Sequence, residues 1–150
     1  MQTYLDVSQE NGKALMMRGI KGEVIMLNLL RFRQQADYSD CPELIPTEST
    51  QQLMSGRAAY DLYVAHTLPH LAAAGSEVLL SAKGGQFLIG PSDEHWDWVI
   101  LVRHRSVESF MSFASNDHYL AGMGHRKAAL ADSRLLVLEP SPQTNLTPAP

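Results

Sequence analysis

The sequence is poor in several features that particular protein classes require. Its 150 residues include one cysteine, Cys41, which excludes an internal disulfide and favours a reducing, cytoplasmic compartment. Charged residues make up 19% of the chain, the net charge is −4, and the lysines and arginines are scattered. Binding to nucleic acid needs a basic stripe that neutralises phosphates, so we expect no nucleic-acid partner.

Long apolar runs and signals of export are missing as well. The longest apolar run, Val24–Leu30, is too short to cross a bilayer and contains Asn28. Residues 1–6 have neither the basic start nor the apolar stretch of a signal peptide. We therefore expect no membrane partner. The sequence also lacks a glycine-rich phosphate loop and a Cys-His nucleophile pair, so we expect no tightly bound cofactor.

The apolar pattern predicts one α+β domain over residues 1–138, followed by a proline-rich tail over 139–150. The glycine pair at 84 and 85 predicts a bulge in one bent strand, with a hairpin turn as the alternative. The predicted elements are an N-terminal helix over 8–20 capped by Ser8, a strand over 24–32, a helix over 56–74, an extended segment over 77–90, a strand over 96–103, helical pieces from 106 and over 117–132, and a last strand over 135–138.

The order of these elements points to a fold and to a dimer. After the N-terminal helix the order is βαββαβ, the ferredoxin-like arrangement in which two helices cover one face of a four-stranded antiparallel sheet. The strands over 24–32 and 96–103 are apolar on both faces, although the helices cover only one. Because soluble monomers rarely expose such a face, we expect a homodimer formed through the sheet, with a small-ligand pocket between sheet and partner.

The run Val24–Arg33 is similar to the first-strand motif of the domain-of-unknown-function family numbered thirteen-thirty, in the dimeric α/β-barrel superfamily. Further similar stretches lie at 56–60, 96–99, 125–130 and 132–135, so that the resemblance spans about residues 20–138. It implies a ferredoxin-like fold and a homodimer but no particular reaction. The wider superfamily includes cofactor-free monooxygenases, haem-degrading enzymes, muconolactone isomerases and proteins without known activity.

Asn28 is the most distinctive candidate site residue, because an amide in the middle of an apolar strand needs hydrogen-bond partners. It either orients a ligand or is satisfied by neighbouring backbone. Some oxygenases of the superfamily use a first-strand asparagine, but their partner tryptophan and histidine do not align here. Arg31 and Arg103 end two strands expected to be neighbours. They are expected either to frame one mouth of the pocket and attract an anion or to meet solvent.

A second group of candidates lies in the helical region over 117–132. Tyr119, Met123, Arg126 and Leu130 are spaced to form one helical stripe. Within it, Arg126 is interpreted first as half of a buried ion pair with Asp97 or Asp132 and second as an anion-binding residue. His125 faces elsewhere and is either a base near neutral pH or, more simply, a solvated histidine.

Aromatic and histidine residues complete the candidates. Trp96 and Trp98 are expected to share a strand face, one of them in the core and either one as a stacking wall for a ligand, and Trp98 is taken as the ligand-binding candidate. Tyr38 is interpreted as a surface residue, with a lid residue as the alternative. His66 and His70 have a spacing that can hold a metal on a helix, but Pro69 lies between them and no third ligand is near, so we predict no metal site.

Three hypotheses for function follow from the sequence. The first is a dimer that binds a small apolar or aromatic molecule, neutral or anionic, through Asn28, Arg31, Arg103, Trp98, Arg126 and Tyr119. The second is a cofactor-independent monooxygenase or isomerase in the same pocket, with Asn28 and His125 as catalytic candidates. The third is a non-catalytic dimerisation module. The sequence does not decide whether the protein is an enzyme.

Overall fold

The computed structural model describes residues 2–46 and 54–141. A short 3₁₀ helix, Pro42–Leu44, lies in the connection after the first strand. The elements in chain order are α1 (Gln9–Met17), β1 (Val24–Phe32), α2 (Gly56–Ala73), β2 (Glu77–Gln86), β3 (His95–His104), α3 (Val107–Ala114), α4 (Asp117–Leu120), α5 (Met123–Ala129) and β4 (Leu130–Leu138).

The four strands form one antiparallel sheet in the order β2-β3-β1-β4. This order, with α2 between β1 and β2 and the remaining helices between β3 and β4, confirms the predicted ferredoxin-like α+β fold. The first strand has the predicted bounds, and Ser8, Ser55 and Ser106 each cap a helix through the side-chain oxygen. Gly75 follows α2 with a φ of 72°, as expected of a glycine that ends a helix.

The helices cover one face of the sheet, which we call the helix side. Alternate residues of β1, namely Val24, Met26 and Leu30, are buried there. Leu30 belongs to a cluster that includes Tyr60 of α2 and Ala129 of α5. A second cluster surrounds Val24 and Met26 and includes Val107 of α3. The helix side is therefore packed at both ends of the strands.

The opposite face, which we call the outer face, carries a row of leucines across all four strands. Leu80 pairs with Leu101, Leu101 with Leu27, and Leu27 with Leu136, so that the four side chains share one face. At the two ends of this row, Leu80 and Leu136 are 46% and 55% exposed. The sheet is thus apolar on both faces, as predicted, while its helices pack on one.

The region after α3 differs from the prediction of one helix over 117–132. The chain makes two short helices, α4 and α5, and residues 130–134 already belong to β4. A side chain at Gly122, between the two helices, would collide with the His66 ring. Asp132 is held in the strand because its Oδ1 accepts hydrogen bonds from the backbone N–H groups of Tyr4 and Ser133, both at 2.8 Å. The last strand therefore begins five residues earlier than predicted.

The prediction of a bulge at the glycine pair of β2, residues 84 and 85, is also wrong. The strand runs through Gly84 and Gly85 in regular register with β3, and the irregularity lies between Val78 and Leu80. A Cβ at Gly84 would collide with the carbonyl oxygen of Trp96, so the glycine permits a close approach of two backbones. Residues 87–89, expected to continue the strand, form part of an exposed loop.

Candidate functional site

Asn28 lies on the helix side of the sheet, between the two packed ends. Its Nδ2 donates to the carbonyl oxygens of Met26 and Ile100 at 3.3 and 3.4 Å, which are long hydrogen bonds. Its Oδ1 accepts no hydrogen bond from any residue that the structure describes. The expectation of a pocket between sheet and partner does not hold for Asn28, because this residue faces the helices rather than the outer face.

The row of residues around Asn28 is less covered than the rows on either side of it. Asn28 pairs with Ile100 of β3 and with Leu135 of β4. Asn28 and Ile100 are half-buried and Leu135 is 45% exposed, whereas Met26 and Leu30 on either side of Asn28 are each 1% exposed. Within the described residues, the helices thus cover the middle row of the sheet less completely than the rows beside it, and we call this region the central cleft.

Arg126 of α5 is next to this cleft. Its Nη1 donates to the carbonyl oxygen of Leu5 at 2.7 Å, and its Nη2 donates to Ser133 Oγ at 3.3 Å. Ser133 is two residues from Leu135 along β4, a distance of roughly 7 Å. The guanidinium is half-buried and, among the described residues, has no carboxylate partner. The predicted ion pair is therefore wrong.

The two aspartates proposed as partners of Arg126 are used elsewhere. Asp132 Oδ1 pairs with Arg134 Nη1 at 2.6 Å, and its Oδ2 lies 3.9 Å from Arg31 Nη1. Burial alone would raise the pKa of Asp132, but hydrogen bonds from the Tyr4 N–H, Arg134 and the Ser133 N–H lower it overall. Asp97 Oδ2 accepts from the Phe32 N–H at 2.8 Å.

Tyr119 is buried on the helix side, in contact with a second tyrosine. The Tyr119 and Tyr63 hydroxyl oxygens are 2.7 Å apart, and the Tyr119 hydroxyl donates to Met123 Sδ at 3.6 Å. Burial raises the pKa of Tyr119, the neighbouring Tyr63 raises it further, and the charge of Arg126 lowers it. Arg126 also lowers the pKa of buried Tyr60 against a larger effect of burial. The guanidinium is thus close to two neutral phenols. The predicted stripe ends before Leu130, which lies in β4.

His125 and Tyr38 form a hydrogen-bonded pair. The Tyr38 hydroxyl and His125 Nδ1 are 2.7 Å apart, and Tyr38 is only 7% exposed. Burial lowers the pKa of His125, and nearby His66 lowers it further. A surface tyrosine and a solvated histidine were expected, and both expectations are wrong. Because His125 contacts the loop and Arg126 contacts Ser133, the two consecutive residues face different surroundings.

Arg31 and Arg103 do not frame one mouth. Since β1 and β3 are antiparallel, Arg103 pairs with Ile25, near the start of β1, whereas Arg31 lies near its end. Arg31 donates through Nε and Nη2 to the carbonyl oxygen of His95. Arg103 pairs with Glu77 and Glu23 at 2.8 and 3.3 Å. The two arginines therefore lie at opposite ends of the sheet.

The two tryptophans have different surroundings, although alternation predicts that they share a face. The Arg57 guanidinium of α2 lies over the Trp98 ring at 4.0 Å, and Trp98 Nε1 donates to Ser81 Oγ at 2.8 Å. Trp96 is buried and lies 5.0 Å from the guanidinium carbons of both Arg31 and Arg134. Trp98, which pairs with Leu30, is therefore the tryptophan near the central cleft.

The histidine pair on α2 is used in packing. His66 Nε2 is 2.7 Å from the carbonyl oxygen of His118 and 3.2 Å from that of Tyr119. The His70 ring stacks parallel to His118, with centroids 6.4 Å apart. Within residues 2–46 and 54–141, no three histidine, cysteine, aspartate or glutamate side chains are grouped as metal ligands. No helix in those ranges has the length and apolar character needed to cross a membrane.

Sequence reasoning missed three participants in this region: Leu5, Tyr63 and Ser133. Leu5 and Ser133 contact Arg126 from positions 121 residues before it and 7 residues after it. Tyr63 lies one helical turn from Tyr60 on α2, a spacing that is visible in the sequence. Leu5 is brought to Arg126 by the path of residues 2–6 along β4, and Ser133 by the early start of that strand, and the sequence carries no signal for either.

Comparison with solved structures gives two strong similarities. The crystal structure of RPA0582, a protein of unknown function from Rhodopseudomonas palustris, has 32% identity and a TM-score of 0.77, covering 93% of this chain and 98% of that one. Methylated RPA0582 has the same identity and TM-score, covering 96% and 99%. A dimeric protein of unknown function with a ferredoxin-like fold from Bacteroides fragilis has 11% identity and a TM-score of 0.46, covering 80% and 98%. No protein-family model and no curated protein matches the chain.

Proposed function

The chain belongs to the same family as the RPA0582 protein of Rhodopseudomonas palustris, whose function is unknown, and we propose that it binds a small aromatic or apolar anion in the central cleft. One observation carries the proposal: the helices leave the row around Asn28 half-open, and beside this row Arg126 has no carboxylate partner in the described chain. Membership of the family numbered thirteen-thirty is part of the same proposal, supported by the first-strand motif.

Arg126 supplies the charge for an anionic ligand. Among the described residues, the half-buried Arg126 guanidinium donates only to a carbonyl and a hydroxyl, and it is poorly compensated, because charged groups removed from water normally gain a partner of opposite sign. A carboxylate can accept two parallel hydrogen bonds from one guanidinium. A ligand carboxylate at Arg126 would therefore replace weaker neutral acceptors.

Asn28 supplies a polar contact at the floor of the cleft. Its Oδ1 has no donor among the described residues, and its Nδ2 makes only the two long hydrogen bonds to backbone. An amide placed in this way can accept from a ligand hydroxyl or donate to a ligand carbonyl. Asn28 therefore fixes the orientation of a ligand whose anionic end is held by Arg126.

The walls of the cleft favour an apolar or aromatic ligand body. Ile100 and Leu135 flank Asn28, and Trp98 is the next helix-side residue along β3. Buried Tyr119 and half-buried Tyr63 form a hydrogen-bonded pair close to Arg126. Small-molecule sites typically combine such apolar walls with a few placed polar groups. Tyr119 and Trp98 are accordingly proposed as ligand contacts, while Arg31 and Arg103 are omitted because they lie at opposite ends of the sheet.

The proposal includes a homodimer through the outer face. The leucine row and its apolar neighbours have no helix over them within the described chain. A second copy would cover this face with an identical one, as isologous dimers do. The ligand site would then lie on the helix side of each subunit rather than between the sheets.

Titration with benzoate and with its neutral analogue benzamide tests the function. We expect the wild-type protein to bind benzoate more tightly than benzamide, and Arg126→Gln to lose about 10- to 100-fold of the affinity for benzoate only. Asn28→Ala should weaken both ligands. Arg103→Gln is the matched control, because Arg103 is in a surface ion pair far from the cleft. Thermal unfolding checks that each variant is folded.

Two results of this titration would overturn the proposed function. One is the absence of saturable binding of either compound to the wild-type protein. The other is an Arg126→Gln variant that is folded and retains the wild-type preference for benzoate. Equal losses in Arg126→Gln and Arg103→Gln would likewise place the effect in the overall charge of the protein rather than in the cleft.

A further inference from the structure

One of the two terminal nitrogens with which Arg126 could bind a carboxylate already donates to the protein's own backbone. Arg126 Nη1 donates to the carbonyl oxygen of Leu5 at 2.7 Å, the shortest hydrogen bond that this guanidinium makes. A carbonyl oxygen at that distance has the position that one oxygen of a bound carboxylate would take. Leu5 belongs to residues 2–6, which we call the strap.

The strap lies along the free edge of β4. The Tyr4 N–H donates to Asp132 Oδ1, and the Tyr4 carbonyl oxygen accepts from the Ser133 N–H at 3.0 Å and from Ser133 Oγ at 2.6 Å. The Tyr4 ring lies 4.8 Å from the Arg134 guanidinium carbon. The strap thus runs from the outer-face residue Arg134 around the edge of the sheet to Arg126 on the helix side.

The strap is held mainly by polar contacts rather than by burial. Gln2, Thr3, Tyr4 and Asp6 are exposed, and only Leu5 is half-buried against the helix-side core. Segments with few buried apolar contacts open at a lower free-energy cost than the core does. The partners of the strap on β4, Asp132 and Ser133, are buried beneath it, so opening the strap exposes their polar groups to water, which then replaces the broken hydrogen bonds.

We propose that the strap is a displaceable cover of the ligand site: the Leu5 carbonyl holds Arg126 in the free protein, and an incoming carboxylate takes its place. The inference rests on the proposed function, since it assumes that Arg126 binds the anion. Its consequence is that the affinity for an anion includes the cost of releasing the strap. Weakening the strap should therefore strengthen binding without changing any residue that contacts the ligand.

Tyr4→Pro tests the inference because proline removes the N–H that Asp132 accepts. Gln2→Pro is the matched control, since proline keeps the Gln2 carbonyl that accepts from Arg134, and the Gln2 N–H donates to no partner among the described residues. We expect Tyr4→Pro to bind benzoate 3- to 10-fold more tightly than wild type, and Gln2→Pro to bind it equally well. Tyr4→Ala removes the ring over Arg134 and should also increase the affinity for benzoate. Agreement between the two Tyr4 variants would show that the effect comes from weakening the strap and not from the backbone constraint of proline.

Hydrogen exchange of the Ser133 amide gives a second readout, because this amide donates to the Tyr4 carbonyl as well as to Asp132 Oδ1, and release of the strap removes the first acceptor and uncovers the amide. Saturating benzoate should speed its exchange in the wild-type protein. If benzoate binds wild type through Arg126 but both Tyr4 variants match wild-type affinity and Ser133 exchange is unchanged, the strap inference is overturned and the proposed function stands. Absence of binding in wild type and in both Tyr4 variants overturns both.

Discussion

His104 is the residue whose protonation should have the clearest effect on stability. It is 2% exposed, its ring contacts Phe110 and Phe113, and its Nδ1 is 2.7 Å from Ser76 Oγ. Burial lowers its pKa from 6.5 to about 4, because the charged imidazolium loses water on folding. Between these values the unfolded chain binds a proton that the folded chain does not.

The free energy of unfolding should therefore rise with pH from about 4 to 6.5 and level off above 6.5, by about 3 kcal/mol in total from this group. Urea unfolding at pH 4.5, 5.5 and 7 measures it. His104→Phe should flatten the dependence, whereas His95→Gln, a change at a side chain that is 50% exposed, should leave it intact. An unaltered slope in His104→Phe would assign the pH dependence to other groups.

From the sequence, a candidate site residue could be recognised where its type differs from that of its immediate neighbours. Asn28 was identified because an amide interrupts an apolar run, and it does border the open part of the sheet. The partner of Arg126 was not predictable, because Leu5 is 121 positions away and contributes a backbone atom that every residue carries. Tyr38 and His125 are likewise 87 positions apart, and their contact depends on the path of a loop.

At the scale of elements, Gly56 marks a junction of three segments. It begins α2, its N–H donates to the Arg33 carbonyl oxygen just after β1, and the Arg33 N–H donates to the Ala129 carbonyl oxygen at the end of α5. A Cβ on Gly56 would lie 2.6 Å from the Ala129 oxygen and 2.8 Å from the Arg33 nitrogen. These are backbone atoms, which cannot move aside without disturbing the junction.

Gly56→Ala should therefore lower the free energy of unfolding by at least about 2 kcal/mol. Gly12→Ala in α1 is the matched control, because its Cβ would lie 3.7 Å from the nearest atom, and it should gain about 0.5–1 kcal/mol from helix propensity. Urea unfolding of the two variants beside wild type measures both effects. A Gly56→Ala protein as stable as wild type would contradict the close junction.

Element order and strand identity were predictable because both follow from apolar runs and cap residues, which are local. Boundaries failed where a tertiary contact decides them. The last strand begins at Leu130 because residues 130–134 pair with β1 and Asp132 binds the strap, and neither partner is near in sequence. The irregularity of β2 lies at 78–80 rather than at the glycine pair, because Gly84 permits the close approach of Trp96 without breaking the register.

At the scale of the whole molecule, the area of the outer face argues for a second copy. Four strands about 4.8 Å apart and about 30 Å long give a face of roughly 600 Å². Charged residues near the strand ends, Arg31, Arg103 and Arg134 among them, take up part of this face, and the apolar remainder of roughly 400 Å² is worth about 10 kcal/mol at about 25 cal/mol per Å², before the costs of association. Leu27 lies at the centre, between Leu101 and Leu136.

Leu27→Lys should therefore convert a dimer into a monomer in sedimentation at about 10 µM, because an ammonium group would be buried against the opposing leucines. Met17→Lys, at a 76% exposed position on α1, should remain dimeric. A wild-type protein that sediments as a monomer would contradict the proposed homodimer through the outer face. Since the outer face and the central cleft lie on opposite sides of the sheet, the monomeric variant should still bind benzoate within about threefold of wild type, which separates assembly from binding.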